Sequence, residues 1–116
     1  MPSPRRIEKL ETLIKEELAG IIDREYEFPA GMLVTITRAV ISSDARYATA
    51  YISVFGGDPA TALEILKKNV YAIQQFLNRR LRIRPVPKIR FTIDEEELKR
   101  EGVEKSLAEL KQEEKL

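Results

Sequence analysis

Lys67, Lys68, Tyr71, Gln74, Gln75, Asn78, Arg79 and Arg82 share one stripe of about 140° when residues 63 to 82 are wound as a helix at about 100° per residue. The set is four cations, three amides and one aromatic ring, with no carboxylate among them. Cations meet phosphates, amides donate to phosphates or read base edges, and an aromatic ring stacks on an unpaired base or a ribose. The chemistry open to these residues is the recognition of an anionic polymer. The basic run goes on through Arg80, Arg84, Lys88 and Arg90, so that residues 66 to 93 hold eight basic side chains and no acidic one. A solvated helix face normally mixes Glu with Lys in supporting i,i+4 pairs, and here the acidic partners are absent. The guanidinium groups of Arg79, Arg80, Arg82 and Arg84 suit phosphate better than ammonium groups do.

Residue types that make and break bonds are scarce. With no cysteine and no histidine in 116 residues, the chain has no thiolate and no imidazole for nucleophilic, acid–base or metal chemistry. Asp44 and Asp94 are expected to serve turns at strand ends rather than to pair as acids. Gly56-Gly57 lacks the Gly-Lys-Ser/Thr that would make a phosphate loop, and reads as a turn. We expect no catalysis, no cofactor, no metal and no small-molecule substrate. No apolar run approaches the roughly 20 residues of a membrane span, and MPSPRRIEKL has no apolar core after its charges. A cytoplasmic, monomeric protein is the expectation.

The net charge of +1 conceals a division. Residues 1 to 94 carry 15 Lys/Arg and 11 Asp/Glu, a balance of +4, whereas residues 95 to 116 carry 5 and 8, a balance of −3. Such asymmetry points to an anionic partner for the first part.

The elements that must position the stripe follow from periodicity. Ile7, Leu10, Ile14, Leu18 and Ile21 recur at three and four, which predicts a helix over 4–23 with Ser3 as its cap and Pro4 in its first turn. Residues 32–41 and 46–55 are rich in β-branched side chains and are joined by Ser42-Ser43-Asp44, predicting an antiparallel pair of strands. Within the second, Ala48, Ala50, Ile52 and Val54 oppose Tyr47, Thr49, Tyr51, Ser53 and Phe55. Asp58-Pro59 starts a helical stretch that keeps its apolar phase through Leu63, Leu66, Val70, Ile73, Leu77 and Leu81. Pro85 and Pro87 end it. In residues 88–93, Ile89, Phe91 and Ile93 alternate with Lys88, Arg90 and Thr92 as a third strand. Three strands cannot bury both faces of a sheet, so the fold class is α+β, with helices covering one face. One domain over 1–95 is expected, followed by a charged segment over 96–116 that is partly helical or mobile.

Three segments in this order, ISSDARYATAYISVFG (41–56), NRRLRIRPVP (78–87) and KIRFTIDEE (88–96), together with the N-terminal RRIEKLETLIKEELAGII, resemble the bacterial ribosome-binding factor A family over roughly residues 5 to 110. The resemblance implies a single type II KH-like domain of order α-β-β-α-α-β. It also implies a non-enzymatic role: binding the free small (30S) ribosomal subunit, assisting late maturation and 5′-end processing of 16S rRNA, and mattering most in the cold. On that reading Lys67, Lys68, Tyr71, Gln75, Arg79, Arg80, Arg82, Arg84, Lys88 and Arg90 are the candidate RNA-binding residues. Reversing Arg79, Arg82 and Arg84 to Glu is expected to abolish subunit binding with thermal stability nearly intact. The chain departs from the family in two places. Asn69-Val70-Tyr71 stands where relatives kink at a small residue followed by glycine, so a straighter helix is expected. Lys88 stands where relatives often carry an acid.

Other classes stay open on the residues alone. A general KH-like binder of single-stranded RNA would use the same stripe. A protein-interaction module would use the acidic C-terminal segment or the Tyr47/Tyr51 strand face. An enzyme working with carboxylates alone is the remaining alternative.

Overall fold

The structure is a computed structural model that describes residues 3–96. The chain begins with α1 (Pro4–Glu25), where the Ser3 hydroxyl accepts from Arg6 N–H at 3.3 Å and proline occupies the first turn. Both features supply what an open helix start needs. Two strands follow, β1 (Leu33–Ile41) and β2 (Tyr47–Phe55), paired antiparallel. Their turn is built by side chains: the Asp44 carboxylate accepts from the Ser42 hydroxyl at 2.6 Å and from Arg46 N–H at 3.1 Å, and Ser42 Oγ in turn accepts from Tyr47 N–H at 3.0 Å. These bonds hold Ala45 at φ 59°, the left-handed conformation between them. They also draw the Asp44 carboxyl below its ordinary pKa, the Ser42 hydrogen bond being the main cause.

At the other end of β2, Gly56 has φ 80°, and a Cβ there would lie 2.0 Å from the Gly31 carbonyl oxygen. Glycine is what lets the chain leave the strand against that backbone. Asp58 then caps α2 (Pro59–Lys68) by accepting from Ala60 N–H at 3.0 Å. Asn69 follows, then α3 (Val70–Arg80) and finally β3 (Lys88–Ile93), entered through a cis Arg84–Pro85 peptide. β3 lies parallel to β2, giving the order β1-β2-β3. A parallel neighbour needs a long crossover, and α2 with α3 provides it.

The core lies between the helices and one face of the sheet. Ala48, Ala50 and Ile52 of the central strand are fully buried, as are Ile14 and Leu18 of α1, Ala62 and Leu66 of α2, and Ile73 and Leu77 of α3. The two alanines let helices lie close over β2, as dense packing requires. Ile89 and Phe91 of β3 point inward as well.

Two expectations change here. The helix anticipated from Asp58 to about Leu81 is divided: Asn69 has φ −105° and ψ 9°, and its Nδ2 donates to the Ile65 carbonyl at 2.7 Å while its N–H is shared between Ile65 and Leu66. A side-chain amide competing for backbone bonds breaks helical ψ without any glycine, so the straighter helix expected at 69–71 is not found. Asp94, expected to serve a turn, is buried; its carboxylate accepts from the Thr37 hydroxyl at 2.6 Å and lies 3.6 Å from Arg38 Nε. Asp44 and Asp94 stand at opposite ends of the sheet. The charged segment expected beyond residue 96 lies outside the described residues.

Candidate nucleic-acid interface

The stripe is carried by two helices and the loop after them. Lys67 and Lys68 end α2, Tyr71, Gln75 and Arg79 lie on α3, and Arg82 follows Leu81, whose ψ of 141° has already left the helix. Lys67, Lys68, Tyr71, Arg79 and Arg82 are exposed and Gln75 is half-buried. Tyr71 is 77% exposed, an open ring at the start of α3. Arg79 lies with its guanidinium 5.0 Å from the centre of the Phe76 ring, which supports it from one side. Lys68 pairs with Glu64 at 3.5 Å, with both side chains mostly exposed. An exposed i,i+4 pair is worth only about 0.3–0.5 kcal/mol, so this pair holds Lys68 weakly. Lys67, Tyr71, Gln75 and Arg82 have no polar or ring partner among the described residues.

Not every residue of the sequence pattern joins them. Arg80 turns to α1 and meets Glu17, Nε to Oε2 3.0 Å. Arg84 folds back: Nη1 donates to the carbonyls of Leu81 at 2.8 Å and Ile83 at 2.6 Å, and Nη2 to that of Asn78 at 3.0 Å. It closes the C-terminal end of α3, whose last carbonyls have no partner within the helix. Gln74 accepts from Ile89 N–H at 2.8 Å and donates to the Pro87 carbonyl at 3.1 Å and to Asn78 Oδ1 at 3.0 Å. Gln74 therefore binds α3 to β3, Asn78 supports its amide from the same helix, and both leave the stripe as structural groups.

Lys88 and Arg90 also part from the stripe. Ile89 and Phe91 are buried beneath the helices, so Lys88 and Arg90 project from the opposite, uncovered face of the sheet. There they sit beside Tyr47 and Thr49 of β2. The Arg90 guanidinium lies 3.6 Å above the Tyr47 ring, and that of Arg38 lies 4.0 Å above Tyr51. The continuous basic stretch of the sequence is thus two surfaces: a helical one of Lys67, Lys68, Tyr71, Gln75, Arg79 and Arg82, and a sheet face bearing Lys88 and Arg90. Arg38 is a further cation of that face which periodicity does not find. A β-bulge between Ile36 and Arg38 shifts the register of β1 and turns Arg38 outward. Its one signal in the sequence is an arginine where strict alternation from Ile36 calls for a buried side chain.

Among the described residues no group of three or more His, Cys, Asp or Glu converges as for a metal ion, and no helix is long and apolar enough to cross a membrane.

A three-stranded sheet of order β1-β2-β3, covered on one face by α1 and the broken α2–α3 pair, is a KH-like α+β domain. The chain belongs to the ribosome-binding factor A family, whose model matches residues 6–107. Ribosome-binding factor A of Acetivibrio thermocellus is 37% identical over 92 residues, 77% of this chain and 75% of that protein. That of Bdellovibrio bacteriovorus is 32% identical over 117 residues, 99% and 87% of the two chains. The crystal structure of ribosome-binding factor A from Thermus thermophilus superposes with a TM-score of 0.67 at 28% identity, covering 73% of this chain and 91% of that one. A homology model of the Thermus thermophilus factor, fitted into the cryo-EM map of a 30S complex, gives 0.65 at 28% identity, covering 74% and 92%.

Proposed function

We propose that this chain is a ribosome assembly factor that binds the free small (30S) subunit through the solvent face of α2 and α3 and the loop after them. It assists late maturation of 16S rRNA, including processing of the 5′ end, by binding alone and without catalysis. It acts as a cytoplasmic monomer and matters most in the cold, when misfolded rRNA rearranges slowly. The observation that carries the reading is the helical surface itself: from Lys67 to Arg82 it presents Tyr71, Arg79 and Arg82 to solvent with no carboxylate in the segment. Membership of the family and the 30S complex of the Thermus thermophilus factor support the small subunit as the partner. Lys67, Lys68, Arg79 and Arg82 neutralise rRNA phosphates, Gln75 donates to phosphate or a base edge, and Tyr71 stacks on an unpaired base.

Binding of this kind does work by selection. A factor with higher affinity for one rRNA conformation raises its population by the difference in affinity between the two states. Crosslinking the protein to purified small subunits and mapping the rRNA positions reached tests the reading. Crosslinks from α2 and α3 to 16S rRNA are expected. Equal affinity for unrelated single-stranded RNA and for the subunit would instead make the chain a general KH-like RNA binder.

A further inference from the structure

The face of the sheet that the helices leave bare is composed unlike an ordinary solvated surface. The three strands together contain no acidic residue. Toward solvent they present three cations, Arg38, Lys88 and Arg90, among hydroxyl side chains that include Tyr47, Thr49, Tyr51 and Thr92. Two of the cations lie over aromatic rings, Arg90 at 3.6 Å from the Tyr47 ring centre and Arg38 at 4.0 Å from that of Tyr51. Arg38 is held by the carboxylate of Asp94, the residue directly after β3, which lies 3.6 Å from Arg38 Nε and accepts from the Thr37 hydroxyl. A guanidinium stacked on a ring keeps its outer face free for a base, while its in-plane N–H groups remain directed at phosphate. Tyr47 and Tyr51 are four residues apart on one strand face, roughly 13 Å at about 3.3 Å per residue. The half-buried Thr49 lies between them.

We propose that this sheet face is a second RNA-binding surface, which holds a single-stranded segment distinct from the one on the helices. Unpaired bases lie on the Arg38–Tyr51 and Arg90–Tyr47 stacks, while Lys88 and the in-plane N–H groups of Arg90 each take a phosphate. A flat sheet carrying aromatic groups suits splayed bases, each of which has a stacking face whatever its sequence. The strands carry no acid, and Asp94, just past the end of β3, pairs with Arg38 and leaves Lys88 and Arg90 without an acidic partner among the described residues, which matches a polyanion rather than a protein surface of mixed charge. The proposal rests on the RNA-binding reading and adds a second point of attachment to it, so that the domain is gripped from both sides by the subunit.

The test uses the full chain, which has no cysteine of its own. A single cysteine is placed either on the sheet face (Thr49→Cys) or beside the helical stripe at the exposed Ala72 (Ala72→Cys). An iron–EDTA reagent on each generates hydroxyl radicals in complexes with purified small subunits. The expected result is strong rRNA cleavage from both positions, at different segments. In parallel, Lys88→Gln with Arg90→Gln is expected to weaken subunit binding about tenfold. It should also make the log–log salt dependence shallower by about 1.4, which is about 0.7 for each single-strand phosphate that the variant no longer neutralises. Cleavage from Ala72→Cys alone, or wild-type affinity and salt dependence for the double variant, would overturn the sheet-face proposal and leave the helical reading standing. Silence from both positions would overturn both.

Discussion

Gln74 Oε1 accepts a hydrogen bond from Ile89 N–H at 2.8 Å, tying the middle of α3 to the outer edge of β3. Its Nε2 donates to the Pro87 carbonyl at the entry to the strand, so a single amide fixes where β3 begins. Gln74→Leu, which keeps the bulk, removes both bonds and strands two part-buried backbone groups. A loss of about 1–3 kcal/mol of stability is expected, read as a lower urea midpoint at unchanged m-value. A midpoint equal to wild type would show that water replaces the amide.

How much of this is legible in the sequence depends on whether a side chain acts within its own element or across elements. Local patterning, in β-branched content, turn residues and the alternation of residues 88–93, places the strands within a residue of their observed ends. It also finds the exposed cations of α2 and α3. It assigns Gln74, Asn78 and Arg84 to the same surface, because a helical wheel shows which way a side chain leaves its helix and not what returns to meet it. Pro87 and Ile89 return to Gln74, and the end of α3 lies within reach of Arg84. Lys88 and Arg90 group with the helical cations by proximity in the chain, although the burial of Ile89 and Phe91 sends them to the other side of the sheet. The bulge before Arg38 reverses the phase of β1, and only its pairing with Tyr51 reveals that. The break at Asn69 is hidden because the apolar positions on either side remain in phase.

Arg84 separates two kinds of arginine. Its three bonds to the carbonyls of Asn78, Leu81 and Ile83 make it a clamp on the end of α3. Arg84→Gln is expected to lower stability by about 1–2 kcal/mol, since bonds from a charged donor are each worth more than neutral ones. Subunit affinity of the folded protein should change less than threefold. The triple reversal of Arg79, Arg82 and Arg84, which the sequence alone suggests would leave stability nearly intact, is therefore expected to lower it through the change at Arg84. Thermal melts of Arg84→Gln beside Arg79→Gln check this, and equal melting temperatures would contradict it.

The turn between β1 and β2 should report pH through Asp44. Its folded-state pKa lies below the ordinary 3.8, chiefly through the Ser42 hydroxyl and then Arg46 N–H. A carboxyl with a depressed folded pKa adds stability that is fully present above its unfolded value and is lost as pH falls through the folded one. A carbon-13 titration of the Asp44 carboxyl should therefore show a midpoint below 3.8, and Asp44→Asn should remove this acid-side dependence from the turn. A midpoint at or above the ordinary value would mean that the Ser42–Asp44–Arg46 arrangement does not persist in solution.

The central claim is that Arg79 and Arg82 bind rRNA from a surface that the fold does not need. Arg79→Glu with Arg82→Glu replaces two exposed cations that make no hydrogen bond or ion pair among the described residues; losing the Phe76 contact and placing an acid in the last turn of α3 should lower the melting temperature by about 5 °C, with the protein still folded. Co-sedimentation of this variant with purified small subunits at moderate salt is the most direct test. The expected result is loss of the bound fraction by at least about tenfold, with the residual binding less sensitive to salt. A variant that sediments with small subunits as the wild type does, over the same salt range, would contradict the assignment of this surface to RNA.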